Sequence, residues 1–171
     1  VETVLQLHET FVLSASYAYL DSEVDELFLP ELPPGVPEGL DSLNTTTAEG
    51  EPLSDAPENE LVMTATYMFP FAEDWGDMSV AVTFRYTDEM QAVSVETSIF
   101  ATLESRELWD VSFNWQRIFG SGVDLSVFGT NVTDEEYITF LTGNWNSGLE
   151  SGQVSVPRMV GARLRYNFGD Y

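Results

Sequence analysis

In "LWDVSFNWQR", residues 108–117, Trp109, Val111, Phe113 and Trp115 alternate with Asp110, Ser112, Asn114 and Gln116. A side-chain period of two marks a β-strand with one apolar and one polar face. The pattern recurs in "FVLSASYAYL" (11–20), "LVMTATYMF" (61–69), "MSVAVTFRYT" (78–87) and "RMVGARLRYNF" (158–168). It predicts seven strands, at 2–8, 11–22, 60–70, 77–90, 106–118, 122–132 and 157–168. Several reach ten residues or more. Soluble strands usually run about 5–6 residues, whereas about 9–11 cross a bilayer at a tilt.

The connections sort by length. "HET" (8–10), "FAEDWGD" (71–77) and "FGSG" (119–122) are short, while 23–59, 91–105 and 133–156 are long. Short turns at one end and long loops at the other are the habit of an outer-membrane barrel. The longest connection, 23–59, is an acidic surface loop, rich in Pro, Gly and Ser and without a basic residue. Tyr17, Tyr19, Tyr67, Phe69, Phe84, Tyr86, Trp109, Trp115, Tyr166 and Phe168 fall near predicted strand ends on the apolar side. Membrane interfaces place aromatic girdles there.

Charge removes several functions. The chain has 29 acidic residues, six basic residues, all arginine, and a net charge of −23. Such a chain repels nucleic-acid phosphates, so no nucleic-acid partner is expected. It has no cysteine, hence no disulfide or thiol chemistry. The sole histidine, His8, adjoins a short turn, and no nucleophile-elbow pattern is present, which argues against an enzyme. "DSEVDE" and "TDEEY" lack the glycine-bearing spacing of an EF-hand loop, so no metal and no cofactor are assigned. No run of about 18 apolar residues offers a transmembrane helix, which leaves a barrel as the only membrane-spanning form.

Pairing 122–132 with 157–168 as neighbours puts Asp124 and Arg165 on one polar face near the short-turn end. A charge contact between them is expected, with Arg163 adjoining.

The end of the chain is the most specific part. "SVFGTNVTDEEY" is followed, after a loop, by "PRMVGARLRYNF". Together these resemble the C-terminal end of a TonB-dependent outer-membrane receptor. Asn131, Thr133, Asp134 and Tyr137 match the family's motif before its last loop, with Val132 for the usual leucine. Gly161, Leu164, Tyr166 and Phe168 match its terminal strand, although this chain continues with "GDY".

The resemblance implies an all-β, antiparallel up-and-down meander of about seven long strands: the C-terminal segment of a large transmembrane β-barrel. Complete receptors have about 22 strands around a plug, so residues 1–171 are expected to be a fragment or truncated product lacking that plug. It further implies a Gram-negative outer membrane and active uptake of an iron–siderophore complex, cobalamin or glycan. The implied partners are the lipid bilayer, the transported small molecule, the missing plug and barrel strands, and an energy-transducing inner-membrane complex. Asn144, Trp145 and Asn146 in "LTGNWNSG" are candidate ligand contacts, because loop aromatics and amides suit sugars or chelates. Two other readings fit the alternation. One is a self-contained barrel of about eight strands, with an extra strand near "AVSVETSIFAT". The other is a soluble acidic β-sandwich used for binding.

Overall fold

The computed structural model describes residues 1–26, 49–71, 73–92, 102–144 and 149–169. Its main body is one seven-stranded antiparallel sheet. The strands are β1 (Glu2–His8), β2 (Phe11–Tyr19), β3 (Asn59–Met68), β4 (Asp77–Thr87), β7 (Arg106–Gln116), β8 (Val123–Thr130) and β11 (Met159–Tyr166). They lie in chain order, β1-β2-β3-β4-β7-β8-β11, each beside its predecessor. Among the described residues, four further strands lie in the long connections. β5 (Met90–Gln91) pairs with β6 (Thr102–Leu103), and β9 (Ile138–Asn144) pairs with β10 (Leu149–Val154).

The register turns the alternation into two faces. Leu5, Leu13, Ala65, Val82, Val111, Gly129 and Val160 form one rung across all seven strands. Phe11, Tyr67, Val80, Phe113, Val127 and Ala162 form the next on the same face. The opposite face carries Ser14, Thr64, Thr83 and Asp110 in one rung and Ser79, Asn114, Ser126 and Arg163 in another.

Among the described residues no second layer covers either face. Among the described residues the buried apolar side chains are Leu103 and Leu141, both in the connections. Leu164 stays 72% exposed and Val160 74%. Phe84 and Trp109 touch as side-by-side neighbours, 4.7 Å between ring centroids, not as opposed layers. A sandwich would bury such residues between two sheets about 10 Å apart, so the sandwich reading fails. An independent eight-stranded barrel finds no support either. β1 and β11 each pair on one side only among the described residues, and most of the segment proposed as an eighth strand lies outside them.

Strand ends differ from expectation where side chains close the ladder. β2 stops at Tyr19 rather than 22, and the chain then bonds to the returning loop through Leu20 N–H to Glu58 and Val24 N–H to Glu51. β4 stops at Thr87 rather than 90, where the Asp88 carboxylate accepts the Glu89 N–H at 3.0 Å. The larger correction concerns 133–156, expected as plain loop, which contains the β9–β10 hairpin. Its alternation is hidden because Phe140 and Leu141 put apolar groups on both faces, Phe140 exposed and Leu141 buried.

One glycine is dictated by its neighbour. Gly161 pairs with Phe128, and a Cβ at 161 would lie 2.5 Å from Phe128 Cζ. The ring covers bare backbone. Gly161→Val is expected to displace Phe128 and cost about 1–3 kcal/mol, read as a lowered midpoint of denaturant unfolding in detergent.

Candidate functional site

The sheet presents three chemically distinct surfaces. The first is an aromatic chain at the short-turn end. Tyr67 meets Phe69 edge-on at 5.1 Å, Phe69 stacks on Phe71 at 5.5 Å, and Phe71 on Trp75 at 5.8 Å. Trp75 reaches Phe119 at 6.1 Å, and Phe119 meets Trp115 at 5.3 Å. The Trp115 indole N–H donates to the Trp75 carbonyl at 2.7 Å. Tyr166 and Phe168 form a separate edge-on pair at 4.6 Å. Phe71, Trp75, Phe119 and Phe168 are all exposed. Strand patterning finds Tyr67, Phe69 and Trp115. It misses Phe71, Trp75 and Phe119, which lie in turns. Arg117 and Phe119 take left-handed backbone there.

The second surface is the polar face. Thr64 and Thr83 share a hydroxyl hydrogen bond of 2.9 Å, and Ser126 donates to Asn114 Oδ1 at 2.7 Å. Arg85 pairs with Asp110 at 2.6 Å. Asp124 and Arg165 are cross-strand partners. The Asp124 carboxylate, however, accepts from the Arg117 backbone N–H and from Asn167 Nδ2, both at 2.9 Å. Arg165 stands opposite, without a close ion pair to it but with its positive charge acting on that carboxylate. Gln116, Asp124, Ser126, Arg163 and Arg165 line a small cleft.

The third is the long-loop end, where the motif residues tie several connections together. Asn131 is only 7% exposed and left-handed at φ 49°, a conformation that asparagine tolerates better than most residues. Its amide Nδ2 donates to the Glu135 carbonyl at 2.9 Å and to that of Val156 at 3.4 Å. Its Oδ1 accepts the Glu135 N–H at 2.9 Å, and its own N–H donates to Asp110 at 2.9 Å. Asp134 accepts the Arg158 N–H at 2.8 Å, with the Arg158 guanidinium at 3.8 Å. Arg106 sits over the Tyr137 ring at 5.2 Å. Buried Ser155 accepts the Tyr137 N–H at 3.2 Å. Thr133 is exposed. The motif is thus a knot that fixes where β8 ends and where β11 begins. Asp110, Ser155 and Arg158 belong to it without being singled out by sequence reasoning.

Asn144 ends β9, opposite Leu149. Trp145 and Asn146 lie outside the described residues. His8 fastens its own turn, its Nδ1 within 2.9 Å of the Thr10 hydroxyl. Among the described residues no group of three or more His, Asp or Glu side chains converges to hold a metal.

Neither a protein-family model nor a curated protein matches the chain. Among solved structures it is similar to the ferric yersiniabactin uptake receptor FyuA from Yersinia pestis, a TonB-dependent receptor. The TM-score is 0.69 and the identity 14%, over 98% of this chain. The fold is that of a receptor's barrel wall. The match spans 22% of the receptor's length.

Two outcomes follow from the long-loop end. Asn131→Ala strips two carbonyls and one N–H of their partner and is expected to cost about 1–3 kcal/mol, measured by denaturant unfolding. At Asp88, the Asn59 side-chain amide at 2.8 Å, then the Tyr86 hydroxyl and the Glu89 N–H, both at 3.0 Å, hold the carboxyl below its ordinary range. A depressed folded value stabilises the rim above the unfolded carboxylate value of about 3.9. That stabilisation disappears as pH falls through the folded value. An NMR titration of Asp88 should give a midpoint below the ordinary value, and Asn59→Ala should raise it.

Proposed function

We propose that the chain is a stretch of barrel wall in an active-transport receptor of the Gram-negative outer membrane. The apolar face meets lipid, the polar face borders an aqueous lumen, and the long loops face outward. One observation carries this reading: a single-layer sheet that follows a receptor wall over 98% of its length leaves its apolar face uncovered. The exposed aromatic chain at the short-turn end supports it, because amphipathic rings settle at the headgroup level.

The cargo class proposed is a scarce nutrient: an iron–siderophore complex, cobalamin or a glycan. FyuA, by its name, takes up ferric yersiniabactin. Further strands close the barrel beyond β1 and β11, a plug fills it, and an inner-membrane complex supplies the energy. Cargo meets the loops, including the segment that joins β9 to β10, whose sequence holds Asn144, Trp145 and Asn146.

Two experiments bear on this. Replacing Val82 with Arg should cost about 2–4 kcal/mol of insertion free energy, as a charge at the lipid midplane does. The same change at Ala81, one residue along and on the other face, should cost far less. Equal costs would contradict the lipid assignment. In cells, replacing Trp145 and Asn146 with Gly should lower ferric-chelate uptake while leaving the amount of protein in the outer membrane unchanged. Unaltered uptake of ferric chelates, cobalamin and oligosaccharides alike would remove the hairpin from the cargo site.

A further inference from the structure

The charges of this chain are segregated along it. The long connections 20–58, 88–105 and 131–158 hold 11, 4 and 4 of the 29 acidic residues. They hold one of the six arginines, Arg158, whose guanidinium already faces Asp134 at 3.8 Å. The other five lie in strands or, for Arg117, in a short turn. The long-loop end is therefore acidic with almost nothing to offset it.

A cavity of about 460 Å³ lies at this end, where the first two long connections meet through the Asp55 N–H and the Gln91 carbonyl at 2.7 Å. Its lining includes Glu51, Glu58, Asp88, Glu89, Met90 and Gln91, and no arginine. Asn59 and Tyr86 hydrogen-bond the Asp88 carboxylate and keep it charged. Gln91 Nε2 donates to Glu51 at 2.5 Å, while its Oε1 is buried without a hydrogen-bond partner. A buried acceptor so placed calls for a donor. Among the described residues no three carboxylates gather as a metal ion requires. Acceptors spread around a space of this size suit an organic cation, because an ammonium carries three N–H donors and a guanidinium five.

A recess lined by one sign of charge concentrates solutes of the opposite sign and repels its own. We propose that this end of the wall selects its ligand by charge. An alkylammonium or guanidinium group settles in the cavity among Glu58, Asp88 and Glu89, and anionic ligands are turned away. The inference rests on the outward placement of the long loops proposed above, and it narrows the cargo to one bearing a cationic group.

The test uses the full-length protein in lipid nanodiscs, labelled with carbon-13 at its methionine methyl groups. The Met90 methyl signal, assigned by its loss in M90L, reports on the cavity. Three probes of matched size are titrated: n-pentylammonium, n-pentanol and pentanoate. The expected result is a saturable shift with n-pentylammonium alone. Raising sodium chloride from about 0.05 M to about 0.3 M should weaken that binding about tenfold, since salt screens the carboxylates. E58Q/E89Q, which keeps the side-chain shapes, should weaken it about as much at low salt. No shift with n-pentylammonium, equal shifts with all three probes, or a shift undiminished in E58Q/E89Q would each overturn the proposal. A heat-modifiable gel-shift on the same samples shows that each variant is folded. A folded protein whose cavity takes no ammonium defeats this inference alone. Equal costs for arginine at Val82 and Ala81 defeat the membrane reading and leave the titration to stand on its own result.

Discussion

A sheet one layer thick has nothing of its own to bury its apolar face against, and everything in this structure answers to that condition. The five inner strands pair on both sides, and β1 and β11 on one among the described residues; full pairing is the requirement for crossing hydrocarbon, where no water is present to bond a stray N–H or C=O. The uncovered rung from Leu5 to Val160 is then not a fault of packing. In water such a surface, exposed on residues as large as Leu164 and Trp109, invites aggregation; against acyl chains it is at rest. The same constraint explains why, among the described residues, the buried apolar side chains Leu103 and Leu141 lie in the connections.

The ends of the strands are built differently from their middles, as the proposed membrane placement requires of segments that meet a different solvent. At the short-turn end the closures are aromatic, and turn residues in left-handed backbone add Phe119 to the chain of rings. At the long-loop end they are polar and strongly hydrogen-bonded. Asn131 and Asp134 hold one connection, and Asp88 with Asn59 holds another. A rim tied down in this way can present loops in fixed positions, which suits a surface that must meet a ligand repeatedly in the same geometry.

The faces, the meander and the neighbouring of β8 and β11 were legible because period-two patterning is set by backbone geometry alone. The pairing of Asp124 with Arg165 in register was also readable from position. Where the Asp124 carboxylate bonds was not, because Asn167 and a backbone N–H reach it from beyond the strands. The β9–β10 hairpin escaped because its two faces are both partly apolar, although the Gly- and Asn-rich "TGNWNSG" between two short apolar runs is a turn signal. The motif residues Asn131, Asp134 and Tyr137 were visible as a pattern, but their work as a knot depends on Asp110, Ser155 and Arg158. Those lie far away in sequence, and no local rule brings them together.

Collision accessibility along β7 tests the central claim most directly. Nitroxide labels are placed singly at Val111, Ser112, Phe113 and Asn114 in protein reconstituted into bilayers. The account predicts that 111 and 113 relax strongly with oxygen, which concentrates in lipid, while 112 and 114 relax with a water-soluble nickel chelate. A reversed alternation, or four labels of equal accessibility, would contradict it.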